Sequence, residues 1–358
     1  EALRRRLEGT RDCIVLDVGT GPFALLAMIA ARHGARRVYA IEANAAAAAQ
    51  ARATVAAAND IPPGTVQVIE GFSNDITLPE KADLLVAEIV GSIASEEGIV
   101  STYRDAQQRH LKAPHDPRSY IPQRVQTWAA PASYILASLL RPPLAHTDVA
   151  ARRQGEPVRV GCCDAAVQLL SRPQLLEEYD FTRPLPPAGT TVGTALRFEV
   201  DPAYLHAAAA THLEGLAPAL VGGAGLQAGR AARADGRGEG GCDGREAAHL
   251  CRWLACSLAG LACWPRLVLT DGEGGEGGDG TIIVESRPSP REGADCEKGE
   301  VVEVEEESHW QTVLPLLSER PLPVCAGDEV HLEFRVAFGE RADRPSAFAL
   351  RGVLVPLE

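Results

Sequence analysis

Cys13-Ile-Val-Leu-Asp17-Val-Gly19-Thr-Gly21-Pro-Phe23-Ala24 is an apolar run that meets two glycines and then an alanine-rich stretch. The run predicts a buried strand. Gly19 and Gly21 let the backbone turn sharply and come close to a ligand. Leu25 to His33 predicts a helix that stops at Gly34. The N-terminus of that helix favours polar or anionic groups. Arg37-Val-Tyr-Ala-Ile41 predicts a second strand, ending on the acid Glu42. Strand, glycine turn, helix and strand form the repeating unit of an α/β doubly wound sheet. A carboxylate at the end of the second strand suits the two hydroxyls of a ribose.

This fingerprint leaves its ligand open. Gly19-x-Gly21-x-x-Ala24, with an acid about twenty residues on, fits a nicotinamide dinucleotide and S-adenosylmethionine equally. Asp17 leans toward the second. An acid just before the turn would crowd a pyrophosphate with like charge, whereas it can reach the amino-acid end of S-adenosylmethionine.

Two further stretches narrow the reading. Ala82-Asp-Leu-Leu-Val-Ala87 predicts another buried strand, followed by Glu88-Ile-Val-Gly91-Ser92-Ile-Ala-Ser-Glu96-Glu97. Glu88 and Glu97 bracket a loop of small residues beyond the carboxyl end of a strand, where open α/β sheets place their chemistry. Two carboxylates suit a guanidinium, whose donors form a fixed fork. More than two hundred residues downstream lies Glu307-Ser308-His309-Trp310-Gln311-Thr-Val-Leu-Pro-Leu. In isolation, His309-Trp310 reads as core packing at the start of a strand.

Taken together and in this order, the glycine turn, Glu42, the double-glutamate loop and Ser-His-Trp resemble the protein arginine N-methyltransferases. The resemblance runs from about residue 11 to 135 and returns at about 305 to 335. It implies a Rossmann-like methyltransferase sheet followed by a β-barrel. It also implies S-adenosyl-L-methionine as cofactor and transfer of methyl groups to arginine side chains. Glu88 and Glu97 match the guanidinium-binding glutamates at the same spacing. His309 and Trp310 match the loop that walls the arginine pocket, with Ser92 beside the substrate. Asp17, Gly19 and Gly21 match the methionine-side cofactor contacts, Glu42 the ribose acid, and Ser73 and Asn74 the stretch that meets the adenine. Arginine- and glycine-rich proteins, such as histones or RNA-binding proteins, are the implied substrates. A homodimer and a cytoplasmic or nuclear location are implied as well.

Some residues depart from the family pattern. Phe23 replaces the third glycine of the turn. The small Ser92 resembles the symmetric-dimethylating branch, whereas His309 belongs to the asymmetric and monomethylating branches, so product type stays open. Only twelve residues precede Cys13, and the family's N-terminal lid helices are expected to be missing. An inactive methyltransferase-like binding subunit is therefore kept as an alternative. A nicotinamide-dependent oxidoreductase is a more distant one, because it gives no role to the paired glutamates.

Composition sets outer limits. In 358 residues, 46% of them hydrophobic, there is room for two domains and a sizeable core. No apolar run reaches the length that spans a bilayer, so no membrane partner is expected. Trp253 to Trp264 reads as a barrel strand ending before Pro265. The nine cysteines form no C-x-x-C pair, which argues against zinc and against a disulfide framework. A formal net charge of −13 argues against direct binding of nucleic acid and favours basic partners. Residues 1–122 read as the cofactor domain and 123–358 as the barrel. Two Gly-, Arg- and acid-rich loops are expected at about 221–244 and 271–300.

Overall fold

The computed structural model describes residues 1–10, 12–134, 157–162, 164–211, 256–270, 281–287, 300–303, 310–317, 321–339, 341, 344 and 346–357. The N-terminal part runs α1 (Ala2–Leu7), β1 (Ile14–Val18), α2 (Leu25–Arg32), β2 (Arg37–Glu42) and α3 (Ala45–Ala57). It continues through β3 (Val66–Glu70), β4 (Leu84–Ala87), α4 (Ile99–Arg109) and β5 (Tyr120–Ile121). The five strands are parallel, in the order β3-β2-β1-β4-β5. Every residue of β1 and β4 is buried. That is the signature of central parallel strands covered on both faces, and it is why both read as unbroken apolar runs. The strand order reverses between β1 and β4, which opens a crevice at their carboxyl ends.

One face of the sheet is closed by α1 and α2, with Leu3, Leu7, Ala27 and Met28 packed on Val15, Val38, Leu84 and Val86. The other face is closed partly by the rest of the chain. Leu16, Tyr39, Leu85, Tyr103 and Tyr120 share one core with Leu176, Phe181, Val313 and Phe334. Tyr103 and Phe181 are ring neighbours, with centroids 3.9 Å apart.

The remainder is mostly antiparallel sheet, as the barrel reading predicts, with one parallel pair at Ile282–Glu285 and Glu300–Glu303. Its strands are β6 (Arg124–Tyr134), β7 (Val158–Gly161), β8 (Val167–Leu169), β9 (Gln174–Asp180), β10 (Thr191–Glu199), β11 (Ser257–Leu258) and β12 (Gly260–Thr270). They continue as β13 (Ile282–Glu285), β14 (Glu300–Glu303), β15 (Gln311–Leu314), β16 (Leu322–Pro323), β17 (Glu329–Ala337) and β18 (Ala347–Val355). β6 is the hub of the larger sheet and pairs with β8, β9 and β12. β10, β17 and β18 form a second sheet.

The structure corrects two sequence expectations. β12 does not stop before Pro265 but runs through it to Thr270. Proline lacks only the ladder donor, and the Pro265 carbonyl still accepts from the Ser286 amide at 3.4 Å. Residues 253–255 lie outside the described residues. The barrel half also contains a helix, α5 (Pro202–Thr211), which the sequence reading missed. Asp201 caps it through the Ala203 amide at 2.7 Å, and Pro202 fits a first helical turn. The loops read at 221–244 and 271–300 fall outside the described residues except for 281–287 and residue 300.

Candidate active site

Four consecutive strands of the parallel sheet end beside residues singled out in the sequence. β1 ends at the glycine turn, β2 at Glu42, β3 just before Ser73-Asn74, and β4 at Glu88. In the turn, the amides of Gly19 and Thr20 both donate to the Ile41 carbonyl, at 2.9 and 3.1 Å. The Gly21 amide donates to Glu42 at 2.9 Å, and the Asn44 amide donates to the other carboxylate oxygen at 2.8 Å. These bonds fix the plane of the Glu42 carboxylate. Each oxygen keeps capacity to accept from a ligand hydroxyl.

Gly19 has φ +75°, and a Cβ there would stand 2.6 Å from Ile89 Cγ2. Only glycine therefore lets the turn after β1 meet the loop after β4. Asp17 lies under this turn and is fully buried. The Thr20 hydroxyl donates to its Oδ2 at 2.5 Å, while Oδ1 has no hydrogen-bond partner among the described residues. Burial pushes its carboxyl up to about 7. The Thr20 hydroxyl and the nearby Ala27 amide pull downward without offsetting that, and the Glu42 charge adds to the rise.

Ser73 is buried, and its carbonyl and that of Asn74 accept from the Arg109 guanidinium at 2.9 and 3.0 Å. Arg109 is held in turn by Asp105 at 2.6 Å. Burial pushes Asp105 upward, but hydrogen bonds from His110 and Arg109 outweigh it and hold the carboxyl at about 2.

The double-glutamate loop is bound to the antiparallel half at Val90, Ser92, Ala94, Ser95 and Glu96. The Trp310 indole N–H donates to the Val90 carbonyl at 2.7 Å, and the Gln311 amide donates to the Ser92 hydroxyl at 3.1 Å. The Ala94 amide donates to the Thr127 hydroxyl at 2.8 Å. The Ser95 amide and hydroxyl both donate to Glu177 of β9. Glu96 pairs with Arg159 of β7. Gly91 permits the tight fold, since a Cβ there would meet Glu96 Cβ at 2.6 Å. Glu88 and Glu97 sit at the two ends of this anchored segment, and both are exposed.

The structure therefore brings together the turn, Glu42, the Glu88–Glu97 loop, Ser92 and Trp310. Asp17 lies beneath the crevice rather than at its rim. His309 lies outside the described residues. Sequence reasoning missed Ser95, Glu96, Thr127, Arg159 and Glu177. Glu96 was visible beside Glu97, but nothing in the sequence pairs it with Arg159. Glu177 and Glu178 look alike in the sequence, and only the fold buries the first.

A family model for ribosomal protein L11 methyltransferase (PrmA) matches residues 1–98. Protein arginine N-methyltransferase PRMT10 of Oryza sativa subsp. japonica is 38% identical over 136 residues, covering 38% of this chain and 34% of that protein. Protein arginine N-methyltransferase 7 of Drosophila mojavensis is 32% identical over 209 residues, covering 52% of this chain and 29% of that protein. The chain thus spans about a third of the length of the curated relatives it matches. Among solved structures, Arabidopsis thaliana protein arginine methyltransferase 10, in an open conformation, superposes with TM-score 0.59 at 18% identity, covering 99% of this chain and 92% of that one. The Trypanosoma brucei PRMT1 enzyme-prozyme complex with AdoHcy superposes with TM-score 0.58 at 16% identity, again over 99% and 92%. In N-terminal sequence and in its two-part fold, this chain is similar to the protein arginine N-methyltransferases.

Proposed function

We propose that this chain transfers methyl groups from S-adenosylmethionine to arginine side chains of protein substrates. One observation carries the reading. Two motifs 220 residues apart, Trp310 and the double-glutamate loop, are joined by a buried hydrogen bond, and that loop rests on the glycine turn through Gly19 and Ile89. A nicotinamide enzyme would have no use for either the loop or the tryptophan wall.

The residues present fit the cofactor. The orphaned Oδ1 of Asp17 is a buried acceptor that the ammonium of its amino-acid end would satisfy. Glu42 holds its carboxylate in place for the ribose hydroxyls, and the Ser73-Asn74 stretch, fixed by Arg109, would line the adenine. When bound, the cofactor supplies a methyl group on a positively charged sulfur.

The chain's own residues do the rest. The substrate guanidinium is a second cation. Glu88 and Glu97 offset the two positive charges and hold the guanidinium plane, and such positioning can supply several kcal/mol, of the ~7–11 kcal/mol that full pre-orientation is worth. Glu97 takes the proton that the attacking nitrogen loses, with the neutral form of His309 as the alternative acceptor offered by the sequence. The domain division at 122/123, the Gly-Arg-rich histone or RNA-binding substrates, homodimerisation and a cytoplasmic or nuclear location belong to the same proposal.

The test is incubation with labelled S-adenosylmethionine and a Gly-Arg-rich peptide, followed by mass analysis of the arginines. Methylarginine is expected. Glu97→Gln is expected to lose nearly all turnover while cofactor affinity stays within a few-fold. A chain that binds the cofactor yet yields no methylarginine would instead be a binding subunit, a reading that the exposed Phe23 in place of the third glycine favours.

A further inference from the structure

Glu177 is a buried carboxylate for which the proposed chemistry has no use, and it sits in the antiparallel half, on β9. Four donors converge on it. They are the Ser95 amide at 3.1 Å, the Ser95 hydroxyl at 2.8 Å, the Thr127 hydroxyl at 2.8 Å and the Tyr179 hydroxyl at 2.8 Å. All four are neutral, and together they fill the acceptor capacity of two carboxylate oxygens. Thr127 spends its proton on Glu177 and accepts from the Ala94 amide with its lone pair. Two consecutive loop amides, Ala94 and Ser95, are thus fixed by one carboxylate, directly and through one relay. Glu96 and Glu97 follow immediately.

We propose that Glu177 is a positioning residue for the double-glutamate loop, a carboxylate from the barrel that fixes Ser95 and thereby aims Glu97 at the substrate guanidinium. A group that only accepts is required at this point. The Ser95 amide and three hydroxyls all need an acceptor, and an apolar side chain would leave them buried and unpaired. A glutamine satisfies the Ser95 amide with its oxygen, and the hydroxyls can turn to accept from its NH2. The conservative amide should therefore keep most of the loop in place, whereas leucine should not. The Glu96–Arg159 pair secures the next residue from β7, so the barrel grips the loop from two strands.

The inference rests on the methyltransfer reading for its activity arm only, and amide hydrogen exchange tests it independently in the full chain. In Glu177→Leu, exchange at residues 94–97 is expected to quicken at least tenfold, with β1 and β2 unchanged. In Glu177→Gln the change is expected to stay below about threefold. With a Gly-Arg-rich peptide, the leucine variant should raise KM about tenfold while S-adenosylmethionine affinity holds within twofold, and glutamine should restore most of the loss. If Glu177→Leu does not fold, Ser95→Ala removes the loop-side hydroxyl and is expected to quicken the same amides. Unchanged loop exchange in a folded variant would overturn the proposal. So would glutamine being as damaging as leucine, or cofactor and peptide affinity falling together. A wild-type chain that methylates no peptide would overturn the functional reading, while the exchange result would still decide the role of Glu177.

Discussion

At Asp17 a fully buried carboxylate keeps one oxygen unpaired beneath the glycine turn. Its carboxyl titrates near 7 in the folded chain, against an ordinary value of 3.8. Between about pH 4 and 7 the folded state therefore holds a proton that the unfolded state has lost. This group's contribution to stability is highest below pH 4 and declines as pH rises toward 7. Binding of an ammonium group runs the other way, because it needs the ionised form. Affinity for S-adenosylmethionine is thus expected to weaken as pH falls below about 7, approaching tenfold or about 1.4 kcal/mol per pH unit. Calorimetry at pH 6 and pH 8 measures the difference, and Asp17→Asn should flatten it. Gly19 gives a second prediction at this scale. Alanine there adopts a left-handed φ at a cost of about 1–2 kcal/mol, and its Cβ displaces Ile89. Gly19→Ala should lower the melting temperature and also weaken peptide binding, because Ile89 follows Glu88. A purely local loss of cofactor affinity would contradict that coupling.

The loop after β4 owes its shape to long-range partners. Trp310→Phe keeps most of the buried ring area but leaves the Val90 carbonyl without its donor. The expected cost is about 1–3 kcal/mol in urea unfolding, with peptide KM rising more than the cofactor dissociation constant. Equal rises would mean that Trp310 supports the whole crevice rather than its substrate wall. The same elements show what the sequence makes legible. β1, β2 and β4 were readable because central parallel strands are apolar on both faces, and the glycine turn because φ +75° at Gly19 leaves glycine as the natural choice. The helix of Pro202–Thr211 carried two signals, the Asp201-Pro202 start and the alanine run Ala207 to Ala210, both easily passed over among strand-like segments. The anchoring set of Ser95, Thr127, Arg159 and Glu177 was not readable. Ser95 lies in the loop after β4 and the other three on separate strands whose pairing is decided by packing at a distance, and an acid bound for the interior carries no local mark that separates it from one bound for water.

Over the whole molecule, the formal charge of −13 makes a long-range attractive field for a cationic peptide. Salt shortens its reach to about 10 Å at 0.1 M. Raising ionic strength from about 50 to 300 mM should therefore raise peptide KM several-fold by slowing encounter, with kcat unchanged in steady-state assays. A kcat that fell in parallel would place the salt effect on the loop itself, through the Glu96–Arg159 pair.

The core shared by the two halves also dictates an order of events during synthesis. The sheet strands that would hold the cofactor are complete in sequence at residue 121, but Phe181, Val313 and Phe334, which cover their second face, are made much later. Until then Leu16, Tyr39, Leu85 and Tyr103 lack those partners. A growing chain with such a face open is exposed to aggregation. The Trp310 bond to Val90 can form only once residue 310 is made, so the crevice at the carboxyl ends of the parallel strands is in place well before the loop after β4 gains its tryptophan wall.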